Sequence, residues 1–237
     1  MPSGGIDPQW PKLLSLTVHE FRSPLTVVSG YIRMLLTERA GPLPDGHRRL
    51  LLEAEKSCGR LSLLLGEASE LSQLEGGTAT FNRSDLDVAA ALADAVTGLP
   101  PLPDRSVAVD VTARPAQPIS GDAARMRTAL ASVLLALRRE LVTSDRLAVV
   151  LEPDTSQNAV RITIAEPQRI ERLRAAAATD LVTFDEWRGG NGLSLPNARR
   201  IIEAHGGRIW SPADDGKAAA VISLAGMPRK KHGSSTV

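Results

Sequence analysis

Leu14, Val18, Phe21, Leu25, Val28, Ile32 and Leu35 recur at alternating steps of four and three. A helix with that heptad spacing must lay one narrow apolar stripe against partner helices. Beside it, at helical spacing, runs a polar stripe of Ser15, His19, Arg22, Thr26, Ser29 and Arg33. His19 therefore lies next to the seam, where water or another protein reaches it. Pro24 falls inside the same stretch. A helical proline removes the hydrogen bond to the carbonyl four residues back, here Glu20, so a kink is expected just after the histidine.

The first helix is expected to run to about Glu38, followed by a turn at Gly41-Pro42-Leu43-Pro44-Asp45-Gly46. A second helix reaches about Glu75. Its apolar positions, from Leu50, Leu51 and Ala54 through Cys58, Leu61, Leu64 and Leu65 to Ala68 and Leu71, form a stripe wider than two helices need. One hairpin cannot bury both stripes, but two copies in a four-helix bundle can, so a homodimer is expected. Cys58 is the single cysteine. It cannot form a disulfide within the chain and reads as a buried thiol.

Gly76-Gly77 ends the helical part, and the pattern turns to mixed strand and helix. Short strands are expected at Thr78 to Asn82 and Ser106 to Val111, with an alanine-rich helix starting at Asp87 between them. Ile119 to Asp122 leads into a helix from about Ala123 to Leu141. Strands at Arg146 to Leu151 and Ala159 to Ala165 precede a helical-looking segment. A helix from Leu195 to His205 and strands at Arg208 to Trp210 and Ala218 to Leu224 complete the order.

A net charge of +1 leaves no footprint for nucleic acid or a membrane surface. No apolar run approaches the length a bilayer needs, and the first residues lack the basic and apolar regions of a signal peptide. A cytoplasmic protein is expected.

His19-Glu20-Phe21-Arg22-Ser23-Pro24-Leu25 resembles the H box of the two-component sensor histidine kinases. The resemblance implies that His19 is the phosphoacceptor and Glu20 its acidic neighbour. Ser23 takes the position that phosphatase members use to place a water, and Arg22 is read as a neutraliser of phosphoryl charge. Residues 190–210, from Gly190-Asn191-Gly192 to Arg208-Ile209-Trp210, resemble the family's second glycine box and following helix. Thr183 to Arg188 resembles its phenylalanine box. The fold class implied is α+β: an N-terminal helical hairpin forming a dimeric four-helix bundle, then a GHKL-type α/β sandwich. Residues 1–11 read as a lead-in, 12–76 as the dimerisation and phosphotransfer hairpin, 77–227 as a degenerate ATP-binding-like domain and 228–237 as a disordered basic tail.

Set on the family's nucleotide motifs, the two N-box asparagines become Ser132 and Ala136. The adenine motif becomes Glu166-Pro167-Gln168-Arg169-Ile170, keeping an acid and losing both glycines. Gly190 and Gly192 survive in the second glycine box, while Ser194 stands where a further glycine is usual. Mg²⁺ demands hard oxygen ligands in near-octahedral geometry, and Ala136 offers none. The expectation is a chain that no longer uses ATP to phosphorylate itself and has no cofactor of its own. His19 would then exchange phosphoryl groups with response-regulator receiver domains, which bring the Mg²⁺. The alternatives weighed are a response-regulator phosphatase or scaffold and a divergent ATP-dependent kinase.

Overall fold

The structure is a computed structural model that describes residues 9–188, 192–213 and 218–227. The lead-in before residue 9, Gly190 and the basic tail lie outside the described residues. The chain divides into two compact units at Ala79/Thr80.

Unit 1 is a hairpin of α1 (Trp10–Leu36) and α2 (Asp45–Glu75). Pro11 enters α1 at its first turn, where the missing N–H costs nothing. The helix continues through Pro24 as one element. At its end Thr37 Oγ1 donates to the Arg33 carbonyl (2.9 Å), Arg48 Nη1 donates to the Leu36 carbonyl (3.3 Å), and Arg48 pairs with Glu38. These donors satisfy carbonyls that a helix C-terminus leaves open. Gly41, at φ +116°, turns the chain where a side chain would be strained. At the other end Ser72 Oγ donates to the Pro11 carbonyl (2.6 Å), tying the free ends of the helices together.

The expected seam divides in two. Val18 and Ile32 are buried and Leu14 and Leu25 half-buried, whereas Phe21 is 59% exposed and Val28 and Leu35 are also open. Seven positions at 4-3 spacing span more arc than one partner helix covers, so α2 takes one edge and leaves the other free. Cys58 is a buried free thiol, as expected.

Unit 2 carries a six-stranded sheet in the order β2-β4-β5-β8-β7-β6 and a two-stranded ribbon of β1 (Ser84–Leu86) and β3 (Ile119–Gly121). The large sheet comprises β2 (Ala108–Ala113), β4 (Arg146–Asp154), β5 (Ala159–Ala165), β6 (Leu181–Thr183), β7 (Arg208–Pro212) and β8 (Ala220–Ala225). Only the β2–β4 pair is parallel. Helices α3 (Val88–Thr97), α4 (Ala123–Glu140) and α6 (Ser194–Ala204) pack on one another. The alternation of β4 and β5 sends Val149, Leu151, Ile162 and Ile164, all sealed from water, to one face. On the other face Val150, Ala165 and Ala219 pack with Ile170 and Leu173 of the short helix α5 (Ile170–Arg174).

Three expectations shift. Thr78 to Asn82 is not a strand, and pairing begins only at Ser84. The strand expected at Ser106 to Val111 starts at Ala108, because its register is set by β4. Leu181–Thr183 is an edge strand on β7, where the sequence shows only a helical-looking segment. Three residues carry too little alternation to register as a strand, and pairing with β7 decides it.

Candidate functional site

His19 is exposed in the middle of α1. Three and four residues on, the exposed Arg22 and Ser23 stand on the same face, one helical turn away. Glu20 is exposed too, but successive helical residues point about 100° apart. Among the described residues no hydrogen bond joins the His19 ring to the Glu20 carboxylate. The fold thus brings His19, Arg22 and Ser23 together and sets Glu20 to one side.

The hydroxyls around this face behave differently from one another. Thr17 Oγ1 donates to the Leu13 carbonyl and Thr26 Oγ1 to the Arg22 carbonyl, both at 2.8 Å. Such back-bonding to the residue four before is the usual fate of a mid-helix hydroxyl. Ser23 does not share it: among the described residues its hydroxyl has no protein partner and is open to solvent.

In unit 2 Ser132, Ala136 and Glu140 follow at four-residue steps along α4. Ala136 is sealed from water and Ser132 is half-buried. A methyl group and a lone hydroxyl are not the donor set that Mg²⁺ requires. Among the described residues no group of three or more His, Cys, Asp or Glu could hold a metal ion. Glu166 accepts a hydrogen bond from Thr143 Oγ1. Gly192, at φ +62°, keeps a conformation that L side chains rarely adopt.

Three ion pairs, one to Glu140 and two to Glu186, hold the segment from Phe184 to Arg188. Arg188 forms a two-pronged pair with Glu140, with Nε donating to Oε1 at 2.8 Å. Its guanidinium also lies 5.4 Å from the Phe184 ring centre. Glu186, buried, accepts from Arg199 (2.9 Å) and Arg200 (3.2 Å). Trp187 between them is 67% exposed. Sequence reasoning missed these pairs, because Glu140 and Arg188 lie 48 positions apart and nothing local marks either as a partner.

Residues 12–77 match the family model described as the His Kinase A (phospho-acceptor) domain. Over a longer span, the chain is 28% identical over 227 residues to the adaptive-response sensory kinase SasA of Parasynechococcus marenigrum, covering 88% of this chain and 54% of that protein. It is 23% identical to the sensor protein VanS of Enterococcus faecium, covering 89% of this chain and 56% of that one. Residues 12–77 thus match a phospho-acceptor domain, and most of the chain is similar to two-component sensor histidine kinases. The chain spans about half the length of these kinase relatives.

Solved structures agree on the histidine-kinase fold. Full-length ShkA in complex with AMPPNP superposes with a TM-score of 0.65 at 19% identity, over 92% of this chain and 46% of that one. The Acinetobacter baumannii histidine kinase AdeS gives 0.54 at 18% identity, over 87% of this chain and 97% of that one. No helix among the described residues is long and apolar enough to cross a membrane.

Proposed function

We propose that the chain is a phosphotransfer protein, with His19 accepting a phosphoryl group from one receiver aspartate and passing it to another, and with ATP-dependent self-phosphorylation lost. The observation that carries this reading is the exposed His19 ring on an unbroken helix, with Arg22 one turn away. A neutral ring nitrogen attacks phosphorus in line with the leaving aspartate oxygen. The N–P bond forms as the P–O bond breaks, and the departing carboxylate keeps the electron pair. Arg22 stands where its charge offsets that of the phosphoryl oxygens. Glu20, the adjacent acid, takes the second ring proton. Mg²⁺ comes with the receiver.

Ala136 and Ser132 at the N-box positions, with Gln168 and Ile170 where the adenine motif has glycine, support the loss of ATP use. Glu166, Gly190 and Gly192 are then relics of a cofactor site. ShkA was solved with AMPPNP, so an ATP-using kinase is the reading to test against. The unpartnered hydroxyl of Ser23 favours a second activity, a response-regulator phosphatase in which Ser23 orients the attacking water. The open apolar edge of α1 supports a homodimer.

With labelled ATP and Mg²⁺, no label is expected on His19; label there returns the chain to the ATP-dependent kinases. With a phosphorylated receiver, label is expected to move to His19 and to be lost in His19→Ala. If His19 stays unlabelled while the receiver loses phosphate, and Ser23→Ala stops that loss, the phosphatase reading replaces transfer.

A further inference from the structure

Just beyond the division between the units, Phe81, Asn82 and Arg83 are fastened to unit 2 by contacts that converge on one buried imidazole. His205, 4% exposed, follows the last residue of α6. Its Nδ1 lies 2.7 Å from the Ile201 carbonyl. A carbonyl only accepts, so Nδ1 carries the proton and Nε2 keeps its lone pair. That lone pair accepts the Asp122 backbone N–H at 2.9 Å.

Asp122 in turn holds both the helix and the segment. Its Oδ1 caps α4 by accepting from the Arg125 N–H (3.1 Å), and its Oδ2 accepts from the Asn82 N–H (2.9 Å). Phe81 meets the imidazole edge-on at 5.3 Å, with the Arg83 and Arg125 guanidinium groups over its ring. Arg83 also donates to the Ala204 carbonyl (2.6 Å) and the Ser120 carbonyl (3.3 Å). Gly121 makes the approach possible, since a Cβ there would stand 3.0 Å from the imidazole and 2.9 Å from Leu86.

We infer that Phe81, Asn82 and Arg83 form an acid-sensitive strap, held to unit 2 while His205 is neutral and let go when its Nε2 takes a proton. A protonated Nε2 points a hydrogen at the Asp122 N–H, so acceptor becomes donor and the bond is lost. The new cation also faces Arg83 from the strap and Arg125 from α4, with the Asp122 carboxylate opposing them. Burial first, and then the two arginines, hold His205 below the ordinary imidazole value, while the Ile201 carbonyl and Asp122 pull the other way. Release of three residues adds roughly 10 Å of free chain to the tether that follows the hairpin.

Hydrogen exchange in the full chain tests this, read at the Asp122 and Asn82 amides against the intrinsic rate at each pH, alongside the His205 ring resonance. Protection at both amides is expected to fall about tenfold per pH unit below the midpoint of the ring, while β4 and β5 keep theirs. His205→Gln retains a neutral acceptor and should flatten the dependence; His47→Gln, on exposed α2, should not. The inference is overturned if the ring titrates with both amides unchanged. It fails equally if all of unit 2 loses protection together, or if the ring stays neutral until the unit unfolds. Should His205→Gln not fold, the wild-type comparison of amides with ring decides alone.

Discussion

Nine large apolar side chains on α1 and five on α2 lie open, against four among the described residues of unit 2. The contrast in depth matches. Leu92, Ile119, Met126, Leu130, Leu134 and Ile162 of unit 2 are sealed from water, while the hairpin manages only near-burial at Val18, Ile32, Cys58, Ala68 and Leu71. A sheet with helices on one face closes its own core, whereas two helices alone have no second layer to close against. The site follows the same division. His19 needs an exposed helix face, and the hairpin provides one; unit 2 directs its polar chemistry inward, into ion pairs that hold its own loops.

The largest expected effect tests the open edge of the hairpin. Phe21→Glu places a charge where a second copy would pack, and should weaken self-association about a hundredfold in sedimentation equilibrium. Unchanged mass would mean that the exposed stripe serves something else. Next comes the asymmetry of the cores. Leu134→Ala, in unit 2, should cost about 2–5 kcal/mol in denaturant unfolding, whereas Leu13→Ala on the open face should cost less than about 0.5 kcal/mol in the monomer. Equal costs would break the comparison.

Asp87 caps α3, its Oδ1 accepting from the Ala89 (2.9 Å) and Ala90 (3.4 Å) N–H groups. Asp87→Ala should destabilise unit 2 by about 1 kcal/mol without changing hairpin helicity. The gentlest effect is on pH. His205 sits below its ordinary value in the folded chain, so its contribution is complete above the unfolded value and is lost as pH falls through the folded one. In stronger acid Glu152, held low by its hydrogen bonds from Arg174, loses its own contribution in the same sense. Melting curves should therefore show unit 2 weakening in mild acid, with His205→Gln removing that part.

Much of this was legible locally. Heptad spacing announced the hairpin, Asp87 and Asp122 stood where helices start, and alternation marked β4 and β5. The H box placed His19, Arg22 and Ser23 on one face because helical periodicity alone decides which neighbours meet. The split of the seam was not legible, since 4-3 spacing is the same whether a residue meets α2 or a second copy. Nor was β6, which exists only because β7 offers it a partner. Ser23 and Thr26 read alike as hydroxyls on one helix, yet only Thr26 bonds to its own backbone.

From the order of residues alone followed the two-part architecture and an exposed histidine beside an apolar stripe. Those depend on period and side-chain chemistry, which the chain carries with it. Tertiary packing decided that His205 is a neutral acceptor, that Glu140 and Arg188 are partners, and that half the seam stays open. Such pairings join positions tens of residues apart, and their energies exist only once burial has removed water and brought the groups within hydrogen-bond range.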